Sequence, residues 1–427
     1  MQSTRRDVCR GALFGLAGSQ LAVSEPRETA EPVHGRADAC IYVWLGGGAG
    51  HIDTFDPKRR GDGKDTPGSY YDAIPTASRD IQVCEHLPGL ADRMDRCALL
   101  RTVSHDLNSQ HGAASNLMHT GRKPSGTIIY PSVGSLVSHE LGSKSEDVPA
   151  YVVMGYPNIM RDPGFLGARC GYVYLTQIET GPSGLSPAPD VNSERQRRRE
   201  VLLGRLRADY LTRNDDDALV RAKAEVSEQG FRMAGKRFMD VFRLNRERSS
   251  LRESYGSEFG QRCLLARRLV QAGVRFVEVS FNLNFLNGTG WDVHQDGILK
   301  QHLLIQDLDQ ALSTLLDDLQ QHGLFDRTLV VVSTEFGRPA EFDAYGGRGH
   351  QAHAFSTLFA GGAVRGGVAV GTTDEVGDKI LDRQISVPDY FATIFAPMGI
   401  DPAKNLYANN RPVPITDHGQ PVDHILS

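Results

Sequence analysis

The sequence has 427 residues, of which 40% are hydrophobic and 23% charged, so its composition is that of an ordinary globular protein. A net charge of -5 leaves no basic footprint, which argues against nucleic-acid binding because phosphate contacts dominate that affinity. No apolar run reaches the roughly 20 residues of a spanning helix, so the sequence predicts no transmembrane segment.

The chain begins with a twin-arginine pattern. Arg5 and Arg6 precede a mildly apolar stretch that ends in small residues near Ser24. This pattern predicts a Tat export signal over residues 1–24, and hence a periplasmic or extracellular protein. A disordered basic N-terminus is the alternative. Residues 25–37 are polar and contain proline, which predicts a linker, and residues 38–427 are then the folded domain.

The six cysteines show no zinc-finger or CxxC spacing. Removal of the export signal takes Cys9 and leaves five, an odd number. The sequence therefore leaves room for one or two disulfides, without the framework of a Cys-rich secreted scaffold.

Six short apolar runs, several of them followed by Gly or polar residues, predict buried strands. They cover residues 40–45, 97–103, 150–154, 274–279, 328–333 and 355–359. A clear amphipathic helix is expected at about 297–322, and the charge-rich residues 193–250 predict a helical insertion. Strands that alternate with helices indicate the α/β class, with a central, largely parallel sheet covered by helices on both faces.

In open α/β sheets the chemistry lies at the carboxyl ends of the strands. This rule directs attention to the loops after Leu45, Val103, Val279, Ser333 and Phe359. Polar clusters do occur at the predicted strand ends, and we expect several of them to meet at one edge of the sheet.

The loop after the first strand carries three glycines and then His51, Asp53 and Asp56. Glycine lets the backbone approach a ligand closely, and the three side chains offer ligand or base chemistry. A dinucleotide-binding loop is excluded because the glycines do not open a helix in the GxGxxG pattern. A plain glycine turn with a capping Asp is the alternative.

His105 and His111 follow the second strand, and a helix is expected to begin near residues 109–112. A helix N-terminus favours anions, so a side chain there is suited to face a phosphate or sulfate group. The alternative is an ordinary capped helix with His111 on the surface.

The remaining clusters also combine histidines and carboxylates. Asp292 and His294 are two residues apart in a loop, and alone they are a weak signal. Glu335 ends a very apolar strand, where an unpaired carboxylate is costly unless a metal or Arg338 compensates it. A structural Glu335–Arg338 pair is therefore the alternative there.

His350 and His353 precede the sixth predicted strand. Imidazole suits Zn, Mn or Fe, with carboxylates completing the ligand shell. Either histidine, taken singly, is as well explained as an ordinary polar residue.

Taken together, these segments resemble a sulfatase-like family of the alkaline-phosphatase superfamily, catalogued as domain of unknown function 1501. The matching stretches run over about residues 40–420. They are Gly-Gly-x-x-His51-Ile-Asp53-Thr-Phe-Asp56-Pro-Lys, His111 to Thr120-Gly121, Pro131-Ser-Val-Gly-Ser135, Trp291-Asp292-x-His294, Glu335-Phe-Gly-Arg338, Gly347-Arg348-x-His350 and Gly361-Gly-x-x-x-Gly366-Gly367 with Thr373-Asp374.

The resemblance implies a sulfatase-like sheet with a site for one or two divalent metals, and it implies no particular reaction. Glu335-Phe336-Gly337 looks like the metal-binding Asp-His-Gly stretch of phosphatases and sulfatases. Asp292 and His294 look like ligands of the other ion, and His350 or His353 looks like its last histidine. Glycines 46–48 lie where relatives place a first metal-binding Asp. Asp53, further along the same loop, is therefore the candidate for that ligand.

The segment Thr120-Gly121-Arg122 looks like the Thr-Gly-Arg that follows the sulfatase nucleophile helix. By that correspondence His111 stands where sulfatases carry the Cys or Ser that becomes formylglycine. The Cys-x-Pro-x-Arg maturation signal is missing, since Gly112-Ala113-Ala114-Ser115 follows His111. A formylglycine mechanism is therefore not expected.

The leading hypothesis is a metal-dependent hydrolase of phosphate or sulfate esters, acting on an anionic small-molecule or polysaccharide ester. One or two divalent ions (Zn, Mn, Fe or Ca) would bind the chain. The expected ligands are Asp53, Asp292, His294, Glu335, His350 and His353. His111 is expected as nucleophile, general base or further ligand, and Arg338 or Arg348 as the group that holds the anion.

Two rival hypotheses remain open. The chain could be a non-catalytic exported binding protein that keeps the sulfatase-like fold, since the formylglycine signal is lost and Phe336 replaces a ligand. Alternatively, the metal could be purely structural and resist chelation until the protein unfolds.

Overall fold

The computed structural model describes residues 36–155, 161–182, 185, 190–214, 217–281 and 290–427. The predicted export signal, residues 1–24, and nearly all of the predicted linker lie outside these ranges.

One nine-stranded sheet organises the described residues. In chain order its strands are β1 (Ala39–Trp44), β2 (Cys97–Ser104), β3 (Tyr151–Met154), β4 (Val173–Leu175), β5 (Phe276–Ser280), β6 (Thr328–Ser333), β7 (Phe355–Ala360), β8 (Val368–Val370) and β9 (Ile385–Ser386). Their order across the sheet is β8-β2-β7-β6-β1-β5-β3-β4. The ninth strand, β9, pairs with the last two residues of β2. The six predicted strands are all present, each within two residues of its expected bounds.

The sheet is mixed, with a parallel majority. Every pairing is parallel except those of β7, which runs antiparallel to both β2 and β6. The α/β prediction is confirmed, whereas the direction of the sixth predicted strand was not anticipated. The short strands β4, β8 and β9 were missed, because two or three residues give too little periodicity to recognise.

The central strands form because continuous apolar, β-branched runs are buried on both faces of the sheet. All six residues of β1 and of β6 are buried. Trp44, the last residue of β1, lies opposite Ser280 of β5 and Ser333 of β6. These three strands therefore end at one level, and the loops that follow them start side by side.

Helices cover both faces of the sheet, as predicted. The longer ones are α1 (His111–Thr120), α2 (Val133–Leu141), α3 (Ser193–Arg213), α4 (Ala218–Met233), α5 (Ser249–Tyr255), α6 (Glu258–Ala272), α7 (Gln301–Gln321) and α8 (Val387–Phe395). Helices α6 and α7 share a core with Ile41 and Val43, whereas α1, α2 and α8 share a second core with Tyr42 and Trp44. The alternation of side chains along β1 thus feeds two separate hydrophobic layers.

Smaller elements complete the fold. The predicted helix at 297–322 is a 3-10 turn, Gln295–Lys300, followed by α7. Residues 193–239 contain α3, α4 and the short helix Lys236–Met239. Three two-stranded ribbons lie outside the main sheet, and they are Ala73–Pro75 with Gln82–Cys84, Thr372–Thr373 with Ile380–Asp382, and Asn405–Ala408 with Arg411–Pro414.

The five cysteines in the described ranges are free and buried, so no disulfide forms there. The one or two disulfides that the sequence allows are therefore not formed among these residues. Within the part of the chain that the structure describes, no helix combines the length and apolar character needed to cross a membrane.

Candidate metal centre

The site is built where loops from several strands pack against the glycine turn after β1. Gly47 and Gly48 have positive φ angles of 119° and 86°. A Cβ atom at Gly47 would lie 2.6 Å from the backbone nitrogen of Asp292, and one at Gly48 would lie 2.6 Å from the Phe336 ring. Gly47 N–H also donates to Glu335 Oε1 at 2.8 Å. Glycine is therefore required here for close packing of three loops as well as for the turn.

Four side chains from three segments converge beside this turn: His111, Asp292, His294 and His350. Their potential ligand atoms all lie within 4.8 Å of one another. His350 Nε2 is 3.0 Å from Nε2 of both His111 and His294. Asp292 Oδ1 is 3.1 Å from the Nε2 atom of His294, 3.5 Å from that of His111 and 3.6 Å from that of His350.

These distances fit a bound cation. A tetrahedral site with metal–ligand bonds of about 2.0–2.1 Å has ligand–ligand distances of about 3.3–3.4 Å. The five distances above, 3.0–3.6 Å, scatter around that value. Three imidazole nitrogens and one carboxylate oxygen are also a donor set that suits Zn, Mn or Fe.

Hydrogen bonding alone does not satisfy this arrangement. A neutral imidazole nitrogen is either one donor or one acceptor. His350 Nε2 faces two other Nε2 atoms at the same distance of 3.0 Å, so it can form a good hydrogen bond with only one of them. An ion at the centre would use all three nitrogens together.

The cluster is only partly shielded from solvent. The four side chains are between 16% and 43% exposed. An ion bound there would therefore keep a side that water or a substrate oxygen can reach.

Charges around the cluster shift its pKa values. Burial raises the pKa of Asp292, but hydrogen bonds from His111 and His350 and the charge of Arg338 outweigh it, so this pKa lies far below its usual range. Burial lowers the pKa of His111, but the hydrogen bonds and charges of Asp292 and Glu335 raise it by more, so the net pKa is about 9. Burial and the Arg338 charge lower the pKa of His294. In the absence of an ion the carboxylates thus favour a protonated His111.

Glu335 lies behind His111 and outside the four-residue cluster. Its fully buried carboxylate accepts from His111 Nδ1 at 2.9 Å, which directs the opposite Nε2 atom into the cluster. Metal-binding histidines commonly have such a carboxylate partner, which fixes the tautomer and the ring orientation. The structure therefore gives Glu335 an orienting position, where the sequence analysis expected a direct ligand.

Arg338 is fully buried, and every nitrogen of its guanidinium donates to a group of the protein. Its guanidinium contacts Asp292 Oδ1 at 2.5 Å and donates to the carbonyl oxygens of Gly48, Arg348 and Gly349 at 2.9–3.1 Å. It clamps the loops and balances the Asp292 charge, in contrast to the anion-holding role expected from the sequence.

Asp53 and Arg348 form a second buried pair away from the cluster. Arg348 Nε lies 2.8 Å from Asp53 Oδ2, and a terminal nitrogen lies 3.1 Å from Oδ1. The Arg348 guanidinium also donates to three backbone carbonyls, those of Pro339, Ala340 and Gly68. The structure therefore uses Asp53, an expected ligand, and Arg348, an expected anion-binding residue, to hold loops together.

Other histidines singled out by the sequence lie around the cluster and do not join it. His353 is exposed. His51 is buried, with Nε2 at 2.9 Å from the Gly377 carbonyl oxygen, and His105 Nε2 lies 2.7 Å from the carbonyl oxygen of Glu335. Asp56 is paired with Lys58 at 3.0 Å.

The antiparallel direction of β7 decides which of the loops at its two ends lies at the site. The loop after Phe359 was expected at the site, but β7 runs opposite to its neighbours, so that loop leaves from the other edge of the sheet. The segment before β7 lies at the site edge, where Gln351 bridges to Gly337 in the loop after β6. His350 reaches the cluster through this segment.

A buried ionic group that was not expected from the sequence lies between α1 and the sheet. Glu278, Arg161 and His119 are fully buried, and Arg161 Nε donates to Glu278 Oε1 at 2.8 Å. His119 Nε2 is 3.4 Å from the same oxygen, and Tyr151 donates to Oε2 at 3.2 Å. A signal was available, because Glu278 is the one carboxylate inside the apolar run Phe276–Ser280.

The fold and the four-residue centre define an α/β protein with a half-exposed candidate metal site of histidines and one aspartate. The chain belongs to the family described as "Protein of unknown function (DUF1501)", whose model matches residues 37–426. A comparison with curated proteins gives no match.

Solved structures similar to this chain include three with TM-scores of 0.41. The PsFucS1 sulfatase from Pseudoalteromonas sp. is 12% identical, over 92% of this chain and 72% of that one. A protein in the alkaline phosphatase superfamily from Vibrio parahaemolyticus is 10% identical, over 91% and 70%. Ps i-CgsB in complex with k-i-k-neocarrahexaose is 11% identical, over 89% and 74%.

Proposed function

We propose that this protein is a metal-dependent hydrolase of phosphate or sulfate esters. One observation carries the proposal: three imidazole nitrogens and one carboxylate oxygen converge at 3.0–3.6 Å in a partly exposed site. A divalent ion bound there would supply Lewis-acid polarisation of an ester oxygen and would lower the pKa of water.

The chain's own residues prepare the site for this chemistry. Glu335 holds His111 with Nε2 toward the cluster, and Arg338 holds Asp292 through Oδ1. Both supporting groups are buried, so the positions of the two ligands are set before anything binds. With an ion bound, His111 would be one of its ligands, and water would be left as the group that attacks the ester.

The charge balance favours an anionic substrate. Asp292 and Glu335 together carry two negative charges and Arg338 one positive charge, so a dication would leave the site with a net charge of +1. Helix α1 begins at His111, and no side chain caps its first turn. The free N–H groups and the helix dipole add positive potential at the same place.

A cavity beside the loop that carries His294 offers room for the organic part of such a substrate. It has a volume of about 630 Å³, and its lining includes Tyr70, Phe342, Tyr345 and Asp343. Asp343 Oδ2 accepts from the backbone N–H of Gln295, the residue after His294, at 2.8 Å. Aromatic rings beside carboxylates suit a polyhydroxyl ring, which supports a saccharide ester over a simple alkyl ester.

The first experiment is the metal content of the purified, untagged protein by plasma mass spectrometry, followed by hydrolysis assays. The substrates are p-nitrophenyl phosphate, bis-p-nitrophenyl phosphate and p-nitrophenyl sulfate. We expect about one equivalent of Zn, Mn or Fe and a turnover that a chelator abolishes and the metal restores. Failure to bind any of these ions after reconstitution would contradict the proposal.

A second candidate is a non-catalytic protein in which the metal has a purely structural role. It is favoured by the number of ligands, because four protein donors complete a tetrahedron, as in structural zinc sites. Bound metal that resists chelation until unfolding, together with no turnover of the three substrates, would select this candidate.

We also propose that the chain is exported through the Tat pathway, supported by the twin-arginine pattern and the apolar stretch of residues 1–24. A reporter fused to these residues should reach the periplasm. The R5K/R6K double substitution should retain it in the cytoplasm. Export unaffected by that change would contradict the assignment.

A further inference from the structure

Helix α3 lies on the surface with unusually many apolar side chains in solvent. Val201, Leu202, Leu203, Leu206 and Tyr210 are each between 37% and 59% exposed. Single exposed apolar residues are common, but Leu202, Leu206 and Tyr210 are spaced four residues apart, so they lie along one face of the helix and form an apolar patch there.

The same helix is strongly basic. Among residues 193–213, seven are Arg and three are Asp or Glu, a net charge of +4 in a chain whose total is -5. Arg198 and Arg213 form exposed ion pairs within the helix, which contribute little. Among the described residues, Arg197, Arg199 and Arg205 have no acidic partner within ion-pair distance.

Helix α3 is held to its neighbour by few groups. The Arg207 guanidinium lies 4.6 Å from the ring centroid of Phe231 in α4, and Leu211 is half-buried. Almost all of the helix's other described side chains are exposed. Two or more turns of its surface are therefore free to meet another surface along their length.

We propose that α3 docks on the surface of an anionic lipid bilayer. Leucine and tyrosine side chains of a basic amphipathic helix enter the boundary between headgroups and acyl chains. The arginines beside them extend to the lipid phosphates, and each basic residue near an anionic membrane adds to the attraction. The proposal does not depend on the hydrolase activity.

Two other partners fit the helix less well. A second copy of the chain, docked through the same face, would bring two helices of charge +4 together. A nucleic acid would match the arginines, but Leu202 and Leu206 would then contact a highly charged phosphate backbone. A bilayer accommodates both the charged and the apolar side chains.

The test is co-sedimentation of the full chain with vesicles. Vesicles of phosphatidylglycerol and phosphatidylcholine (3:7) should bind the protein at least about tenfold more tightly than pure phosphatidylcholine vesicles, and high salt should weaken the binding. Equal or absent binding to the two vesicle types would overturn the proposal. So would a stable dimer in solution that leaves vesicle binding absent.

Two sets of variants localise the effect. L202S/L206S/Y210S and R197Q/R199Q/R205Q should each reduce binding to the anionic vesicles at least about tenfold. The matched control is L381S/Y407S, which removes two equally exposed apolar residues elsewhere and should bind as the wild type does. Because all eight side chains are exposed, thermal unfolding should be unchanged. Wild-type binding by both α3 variants would overturn the assignment to this helix.

Discussion

The two ends of helix α1 lie beside two polar groups of similar composition and different character. At its first residue, His111 joins Asp292, His294 and His350, with Arg338 on the aspartate. Near its last residue, His119 joins Glu278 and Arg161. Each group combines histidine, carboxylate and arginine, yet only the first has the properties of a ligand site.

The difference lies in pairing and in access to solvent. In the buried group, Glu278 accepts from Arg161, Tyr151 and Ser280, so its charge and both oxygens are compensated internally. In the half-exposed group, three imidazoles surround one carboxylate and are not all satisfied by one another. Unpaired donors that converge and remain accessible, and not residue types alone, distinguish a binding site from a structural network.

The largest effect should follow from breaking the buried group. E278Q would leave the Arg161 charge uncompensated inside the protein and should lower the free energy of unfolding by about 3–5 kcal/mol. Urea denaturation measures this change. The double variant E278Q/R161M should recover part of the loss, since it removes both charges.

The matched control is E228Q, which breaks the exposed pair between Glu228 and Arg232. It should change stability by less than about 1 kcal/mol. If E278Q proves as mild as E228Q, the buried network is not the rigid element that its burial indicates.

At the other end of α1, H350A should abolish stoichiometric metal binding. His350 Nε2 contacts two of the three other cluster members, so its loss removes a ligand at the centre of the set. We expect metal affinity to fall by more than about 100-fold, the upper end of what the loss of an outer-shell partner costs. Competition with a chromophoric chelator measures the affinity.

H353A provides the control for this experiment, because His353 is three residues away in sequence and exposed outside the cluster. Its metal affinity should equal that of the wild type. A loss of metal in H353A comparable to that in H350A would show that the cluster has been assigned to the wrong histidine.

A smaller effect is expected from the orienting carboxylate. E335Q keeps the shape of the side chain but replaces the charged partner of His111 Nδ1. Metal affinity should fall by about 10–100-fold, as is typical for outer-shell carboxylates. Direct titration of the metal-free protein measures it. An unchanged affinity would remove Glu335 from the centre, whereas complete loss of metal would make it a direct ligand.

The smallest effect concerns pH. Burial lowers the pKa of His119, with the nearby Arg161 charge adding to the effect, so the folded protein binds a proton here less readily than the unfolded chain. The contribution of His119 to the free energy of unfolding is therefore complete above the unfolded-state pKa of about 6.5, and it declines as the pH falls below that value. In a chelator-containing buffer, we compare the slope of the free energy of unfolding against pH between pH 6.5 and 5. This slope should be smaller in H119Q than in the wild type by up to about 1.4 kcal/mol per pH unit. Identical slopes would assign the acid sensitivity to other groups.

Much of the fold could be predicted because its signals are local. The apolar runs at β1 and β6 need burial on both faces, and the long amphipathic pattern at α7 needs one buried face. The strand β7 shows the limit, because the composition of a buried six-residue strand does not reveal whether it runs parallel or antiparallel to its neighbours. Only its pairing with β2 and β6 decided that His350, before the strand, faces the site.

The sequence by itself determined the α/β class, the loops that carry the polar residues and the histidine–carboxylate chemistry at their ends. The tertiary structure decided the role of each residue. Asp292 enters the cluster, Glu335 lies behind His111, and Asp53 is bound to Arg348 far along the chain. The physical reason is that burial makes every unpaired charge costly, so each carboxylate's role depends on which cation the fold places beside it.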